Sequence, residues 1–372
     1  MKKVVIIGAG ISGLTAGIYL QKAGIPTEIY EKNQIPGGQC TGWKREGYFI
    51  DNCIHWLTGT REGSGLHELW KEVGALGQGV ELYHKEKFYT SELDGETLTL
   101  WRDKERTRLE LLALSPEDQD EINKLMDAVL LAESMTVPVD KSFDMMNPIE
   151  FMKLGMSMTD MGKVMKQYGK MDIRELAERF HHPLIRQALI DYMPPGYQAY
   201  AFVVSYATVT SGNGDIPRGG SLQMVLRMVK RYEELGGKLH TGAEVEKVLV
   251  NGKRAEGIKL TSGDTVKADY VICASDVSHT FGRLLDRYPD LAGMVKILDV
   301  WTPATYYRYC YAYHGAYMGF IETKKAKNHN IPGKIKDLSN VMLASQWLMG
   351  AGGLPTAAAM GKFAAQRILS LR

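Results

Sequence analysis

A chain of 372 residues is long enough for two or three domains, and two are expected here. Its 45% hydrophobic and 24% charged residues are the balance of a folded globular protein, and a formal net charge of +2 at pH 7 is too small to steer a polyanion, so nucleic acid is not an expected partner. The four cysteines, Cys40, Cys53, Cys273 and Cys310, form no C-x-x-C pair and no histidine cluster has metal-ligand spacing, so no metal is expected and a reducing cytoplasm is.

From Met1 to Leu20 two lysines precede an apolar run, but Gly8, Gly10, Gly13 and Gly17 break it, so it reads as structure and not as a targeting segment. No window reaches the roughly 18 consecutive apolar residues of a membrane-spanning helix. Contact with a membrane surface stays open.

The β-branched run from Lys3 to Ile7 predicts a strand buried on both faces. It leads into Gly8-Ala9-Gly10-Ile11-Ser12-Gly13, then a helix from Leu14 to Ala23 that Gly24 stops. After Pro26 a second strand, Thr27 to Tyr30, ends in Glu31. In this frame Gly8 permits the tight turn, Gly10 admits a pyrophosphate and Gly13 lets helix and strand pack closely. The helix N-terminus faces the phosphates with free N–H groups. Glu31, 18 residues beyond Gly13, stands near the spacing of an acid that accepts hydrogen bonds from ribose hydroxyls. With strand, helix, second strand and acid all in place, a dinucleotide site is favoured over a mere glycine-rich turn.

Pro36-Gly37-Gly38-Gln39-Cys40-Thr41 and Gly47-Tyr48-Phe49-Ile50-Asp51 follow. They resemble the second glycine motif of the flavoprotein superfamily that includes amine oxidases, phytoene desaturases and Rab GDP-dissociation inhibitors. That resemblance implies FAD as the dinucleotide, and makes Asp51 a structural hydrogen-bonder.

From Leu66 to about Tyr200 the pattern is of helices between polar loops, with Ser115-Pro116-Glu117-Asp118 capping a helix to about Ser134. Ten of the 19 methionines fall between Met126 and Met171, either a soft cavity lining or ordinary core filler. Nucleotide-domain texture returns at Ile216-Pro217-Arg218-Gly219-Gly220-Ser221, with a helix from Leu222 to Leu235. Then come a hairpin, Glu244 to Val250 and Arg254 to Leu260, on Asn251-Gly252, and a buried strand from Ala268 to Ala274. Tyr306-Tyr307-Arg308-Tyr309-Cys310-Tyr311-Ala312-Tyr313 is either a tunnel lining or an interface or core strand. A strand from Val341 to Ala344 leads through Gly350-Ala351-Gly352-Gly353-Leu354-Pro355 to a helix from Thr356 to Leu371. This helix could aim its N-terminus at a flavin, where it would stabilise negative charge on the ring, or simply pack.

The expected class is therefore α/β: a discontinuous, Rossmann-type FAD-binding domain from residues 1–65, 216–285 and 336–372. A helix-rich substrate domain is expected from residues 66–215 and 286–335. The ordered motifs resemble the phytoene desaturase, carotenoid isomerase and retinol saturase group of FAD-dependent oxidoreductases over nearly the whole chain. The resemblance implies FAD contacts from Gly8, Gly10, Ile11, Ser12, Gly13, Glu31, Lys32, Gly37, Gly38, Gln39, Val245, Ala274, Gln346, Gly353 and Leu354, with adenine by Val245 and the ribityl chain by Gln346. Two departures stand out. Ser345-Gln346 replaces a usual glycine and acid, and only Ser275 to Asp286 separates two segments that the group holds much farther apart. The substrate domain is accordingly expected to be shortened.

The activity this implies is hydride transfer between FAD and a bulky apolar isoprenoid, polyene or lipid-like substrate. An amine oxidase and a non-catalytic isoprenoid-binding protein are the alternatives. His55 is the one candidate catalytic side chain, against a histidine satisfied by local backbone bonds. Localisation is expected to be cytoplasmic, with peripheral membrane contact open.

Overall fold

The computed structural model describes residues 2–285, 331–349 and 352–371. The tyrosine run at 306–313, Cys310, Gly350, Ala351 and nearly all of the expected 286–335 segment lie outside the described residues.

The architecture is mixed α/β. Val4–Ile7, fully apolar and buried at every position, can only be a central strand, and it pairs in parallel on both sides. The sheet runs, in spatial order, Lys238–His240, Thr27–Tyr30, Val4–Ile7, Tyr270–Cys273, Leu338–Leu343 and Lys334–Ile335. All neighbours are parallel except the last pair. Along the chain, Val4–Ile7 and Thr27–Tyr30 are joined by the helix Ile11–Lys22, which starts three residues before the expected Leu14.

That helix carries Gly13 and Gly17 in its interior, each less favourable than alanine there by about 1 kcal/mol. Close packing is the return. A Cβ at Gly17 would sit 2.7 Å from the Tyr232 ring, and one at Gly361, on the C-terminal helix Gly353–Leu369, would sit 2.2 Å from the Ser12 carbonyl oxygen.

A second sheet, Val245–Asn251, Arg254–Leu260 and Thr265–Lys267, is antiparallel. Its tie to the parallel sheet is the buried Asn340 amide, which donates to the carbonyls of Ala255 and Asp269 and accepts the Ala255 N–H.

A separate apolar core lies under residues 98–207, around Tyr168, Phe180, Phe202 and Tyr206. The segment from Leu66 to about Tyr200 is not purely helical, contrary to the sequence expectation. Lys87–Leu93 and Glu96–Trp101 form a hairpin whose turn, Asp94-Gly95, has φ of 52° and 84°. Ser115 leads into a single 3₁₀ turn before the helix Gln119–Ala132 instead of capping it with its side chain. The boundary after residue 65 also moves: Leu66, Leu69, Trp70 and Val73 bury their faces in the core of the parallel sheet, because the helix Gly65–Glu72 is amphipathic toward that side. The methionines divide, with Met126 and Met171 buried and Met152, Met156 and Met158 exposed.

Two ion pairs, each with one partner buried, join the parts. Arg367, on the C-terminal helix, grips Asp144 with Nε and Nη2 at 3.2 and 2.9 Å. Asp215 accepts Arg102 and Thr60.

Candidate functional site: a glycine-walled pocket at the strand ends

Ligands of open α/β sheets sit beyond the carboxyl ends of parallel strands, and here those ends converge on one pocket. Ile7, Tyr30-Glu31 and Ala274-Ser275 bring three strand ends to it, and Ser345-Gln346-Trp347 follow a fourth.

The wall between the first strand and its helix is backbone. Gly8 has φ +101°, where a side chain would be strained. A Cβ at Gly13 would lie 2.0 Å from the Gly8 carbonyl oxygen, so that glycine is fixed by packing and does not line the pocket. At Gly10 a Cβ would meet nothing within 4 Å, so the backbone faces open space. The second glycine motif docks beside it: Gly37 N–H donates to the Ala9 carbonyl at 2.9 Å, and a Cβ at Gly38 would stand 3.7 Å from the Gly10 Cα.

Two helices begin at this pocket. Neither Ile11–Lys22 nor Gly353–Leu369 has a side-chain cap from its N-cap glycine or an acid in its first turn. Their positive ends are therefore left to attract negative charge. Gln346 partly organises the second: its Oε1 accepts the Gly353 N–H at 2.9 Å, and its Nε2 donates to Gln39 Oε1 at 3.0 Å, joining both motifs across the pocket.

Glu31 is buried, and its carboxylate is in use within the protein. Oε2 accepts the Ala9 N–H at 2.8 Å, and Oε1 accepts the backbone and side-chain N–H groups of Asn33 at 3.0 Å each. A carboxylate offers about four lone-pair positions, which leaves one for a ligand hydroxyl.

His279 lines the pocket near Lys32, Glu244 and Arg283. Burial, reinforced by the charges of Arg283 and Lys32 and opposed by Glu244, pushes its imidazole down to about 4, so it is neutral at pH 7. Asp51 holds the second motif in place. Its Oδ1 accepts the N–H groups of Cys53 and Ile54 and the Ser221 hydroxyl, and Oδ2 accepts the Ser221 N–H at 2.6 Å.

Of the residues singled out from sequence, Gly8, Gly10, Ile11, Ser12, Glu31, Lys32, Gly37, Gly38, Gln39, Val245, Ala274, Gln346, Gly353 and Leu354 all line this one pocket. His55 does not: it is exposed, with its ring tilted 6.4 Å from that of Trp56. The local CIHW pattern gave no sign of which way that side chain would turn. Residues missed include Asn33, Glu244, Asp276, His279 and Trp347. Asp276 was findable, as an acid three residues past a buried strand and followed by a helical turn whose N–H groups it caps at Ser278 and His279. Among the described residues no group of three or more His, Cys, Asp or Glu has a metal-holding arrangement, and no helix is long and apolar enough to cross a membrane.

Parallel strands, two glycine loops and two helix N-termini, the first of them without a cap, define an α/β protein with a site for a phosphate-bearing nucleotide. Residues 11–285 match the flavin containing amine oxidoreductase family, and the chain belongs to that family. Among curated proteins it is similar to the lycopene-forming phytoene desaturase of Paracoccus sp., at 27% identity over 76% of this chain and 56% of that protein. It is also similar to the 4,4'-diaponeurosporene oxygenase of Staphylococcus aureus, at 23% over 76% and 58%. The chain thus spans little more than half the length of these relatives. Among solved structures, an oxidoreductase from Methanosarcina mazei matches with a TM-score of 0.50 and 21% identity, covering 77% of this chain and 61% of that one, which supports the fold.

The family's cofactor is a flavin, and the pocket fits FAD. Gly10 leaves space where a side chain would intrude on a pyrophosphate, the uncapped start of the helix Ile11–Lys22 suits phosphate oxygens, and Glu31 keeps an acceptor for a ribose hydroxyl.

Proposed function

We propose that this chain is an FAD-dependent oxidoreductase that moves a hydride to or from a bulky apolar substrate of the isoprenoid or polyene class. The observation that carries the reading is the open face of Gly10 between two glycine loops, at the end of an uncapped helix. The parallel sheet is then a Rossmann-type FAD-binding domain, with adenine toward Val245 and the ribityl chain toward Gln346. The helical part after it is a substrate domain, reduced relative to the longer relatives. Gly8, Gly37 and Gly38 let the backbone approach the cofactor, Ser12 and Lys32 flank the phosphates, and Gly353 and Leu354 present the C-terminal helix to the ring.

FAD, when bound, supplies the two-electron redox centre. The protein's part is to orient, to exclude water and to place a positive helix end where charge develops. His279, held neutral, adds no cation beside the phosphates at physiological pH. The polyene class is favoured by the relatives, a phytoene desaturase and a diaponeurosporene oxygenase by name. No nucleic acid partner is proposed. The setting is cytoplasmic with peripheral contact to a membrane holding the substrate, and the exposed Phe151, Met152 and Met156 suit such a surface.

The test is turnover. FAD-loaded protein given an acyclic isoprenoid polyene in liposomes, with a quinone as electron acceptor, should extend or shorten the conjugated chain and shift its absorption. An unchanged polyene spectrum at full flavin occupancy, with or without a reductant in place of the quinone, would contradict the substrate class.

A further inference from the structure

The hairpin of Gly42–Arg45 and Tyr48–Asp51 pairs Gly42 with Asp51 at its base. Asn52 N–H donates to the Thr41 carbonyl at 3.0 Å, which carries the ladder one step further. The next opposed position brings together Cys40 and Cys53, whose Sγ atoms lie 3.7 Å apart, with neither in a disulfide. Their amides turn away from each other: Cys40 N–H donates to the Gly37 carbonyl and Cys53 N–H to Asp51 Oδ1. Cys40 stands in the turn before the ladder, where Thr41 N–H donates to the Gln39 carbonyl at 2.9 Å, and Cys53 stands two residues past the opposite strand. The sulfurs, already in contact at 3.7 Å, have to close to the roughly 2.05 Å of a disulfide bond.

The two thiols differ in access. Cys40 is 1% exposed and lines the pocket directly after Gln39, whereas Cys53 is half-buried. Nothing in the linear spacing of 13 residues marks them as partners; the hairpin makes them so. Cys273 is as buried as Cys40, in the central sheet, where burial pushes its thiol up to about 12.

We propose that Cys40 and Cys53 are a reversible dithiol–disulfide pair, oxidised by low-molecular-weight disulfides, that ties the hairpin base to the pocket wall. Cys53, the accessible thiol, loses its proton and attacks one sulfur of the reagent, forming a mixed disulfide and releasing one equivalent of small thiol. Cys40 then loses its proton and attacks Cys53 Sγ, forming the intramolecular bond and releasing the second. Two protein thiols are oxidised and one small disulfide is reduced to two thiols. The closed form fixes the segment after Gly37-Gly38, and with it one wall of the pocket, against the Asp51–Ser221 hub.

The full chain is incubated folded with excess oxidised glutathione, acid-quenched, unfolded, alkylated and mapped by mass spectrometry. The expected result is loss of two of the four alkylatable thiols, recovery of a Cys40–Cys53 linked peptide two hydrogens lighter than its parts, and return of both thiols with dithiothreitol. Cys53→Ser should leave Cys40 fully alkylated under the same treatment. Full alkylation of both cysteines in the wild-type chain, glutathione persisting on Cys53, linkage of either to Cys273 or Cys310, or failure of dithiothreitol to restore them would each overturn the proposal.

Discussion

Glu31 and Ala9 are bound to each other across 22 residues: the carboxylate at the end of the second strand accepts, at 2.8 Å, the N–H of the residue inside the first glycine turn. The acid therefore shapes the phosphate loop as well as facing the pocket. Glu31→Gln keeps the size but turns an NH₂ toward donors on one side, either Ala9 or Asn33. It should lower the stability of the apo-protein by about 2 kcal/mol, the worth of a buried charge-assisted bond, and reduce flavin retention further. Urea unfolding with and without added FAD separates the two effects; unchanged apo stability would remove the structural role.

Gly10 and Gly13 lie three residues apart and should behave oppositely. Gly10 has φ −75°, ordinary for any residue, and open space before it. Gly10→Ala should leave the apo-protein's melting temperature nearly unchanged and cut FAD affinity at least tenfold. Gly13→Ala places a methyl 2.0 Å from the Gly8 carbonyl and should destabilise the fold itself by several kcal/mol. Calorimetry paired with flavin fluorescence titration checks both, and a stable Gly13→Ala chain with intact binding would contradict the packing argument.

The sheet was legible because buried parallel strands are unbroken apolar runs, as Val4–Ile7 and Tyr270–Cys273 are, whereas Leu338–Leu343 was legible only from Val341 because Ser339 and Asn340 interrupt its start. The pocket was legible because glycines and strand ends are local signals. What escaped was made by distance. Lys238–His240, three residues with two polar ones, is a strand only because Thr27–Tyr30 offers it an edge. His279 acquires its character from burial and then from Arg283 and Lys32, with Glu244 opposing them, which no spacing rule connects. The hairpin at 87–101 did carry a signal, Asp94-Gly95, but Glu92 and the threonines obscured the alternation around it.

Gln346 stands where the resembling family usually has an acid, and its amide uses both ends, accepting from Gly353 and donating to Gln39. An acid could accept from Gly353 but not donate to Gln39. Gln346→Glu should thus retain the helix cap while loosening the Gln39 side, and Gln346→Ala should lose both, at about 1–2 kcal/mol. Thermal unfolding should rank wild type above Gln346→Glu and Gln346→Ala lowest. Equal midpoints for all three would contradict the bridging role.

Acid should destabilise the protein through His279. Its imidazole is held near 4 in the fold against an ordinary value of 6.5, so between these values the unfolded chain binds more protons. The stability it contributes is complete above about pH 6.5 and is lost as pH falls toward 4. His279→Asn should flatten the urea-unfolding profile over that window while leaving the lower-pH loss, where Asp144 protonates: burial raises that carboxyl, but the bonds from Arg367 and Ser142 outweigh it and hold it at about 2. A profile unchanged by the substitution would contradict the assignment.

The most direct test of the account is the visible absorption spectrum of the purified protein, with extraction and identification of whatever it carries. The account predicts flavin bands and FAD at close to one equivalent per chain, either as isolated or after incubation with FAD. A colourless chain that takes up no added FAD, while folded by calorimetry, would contradict it.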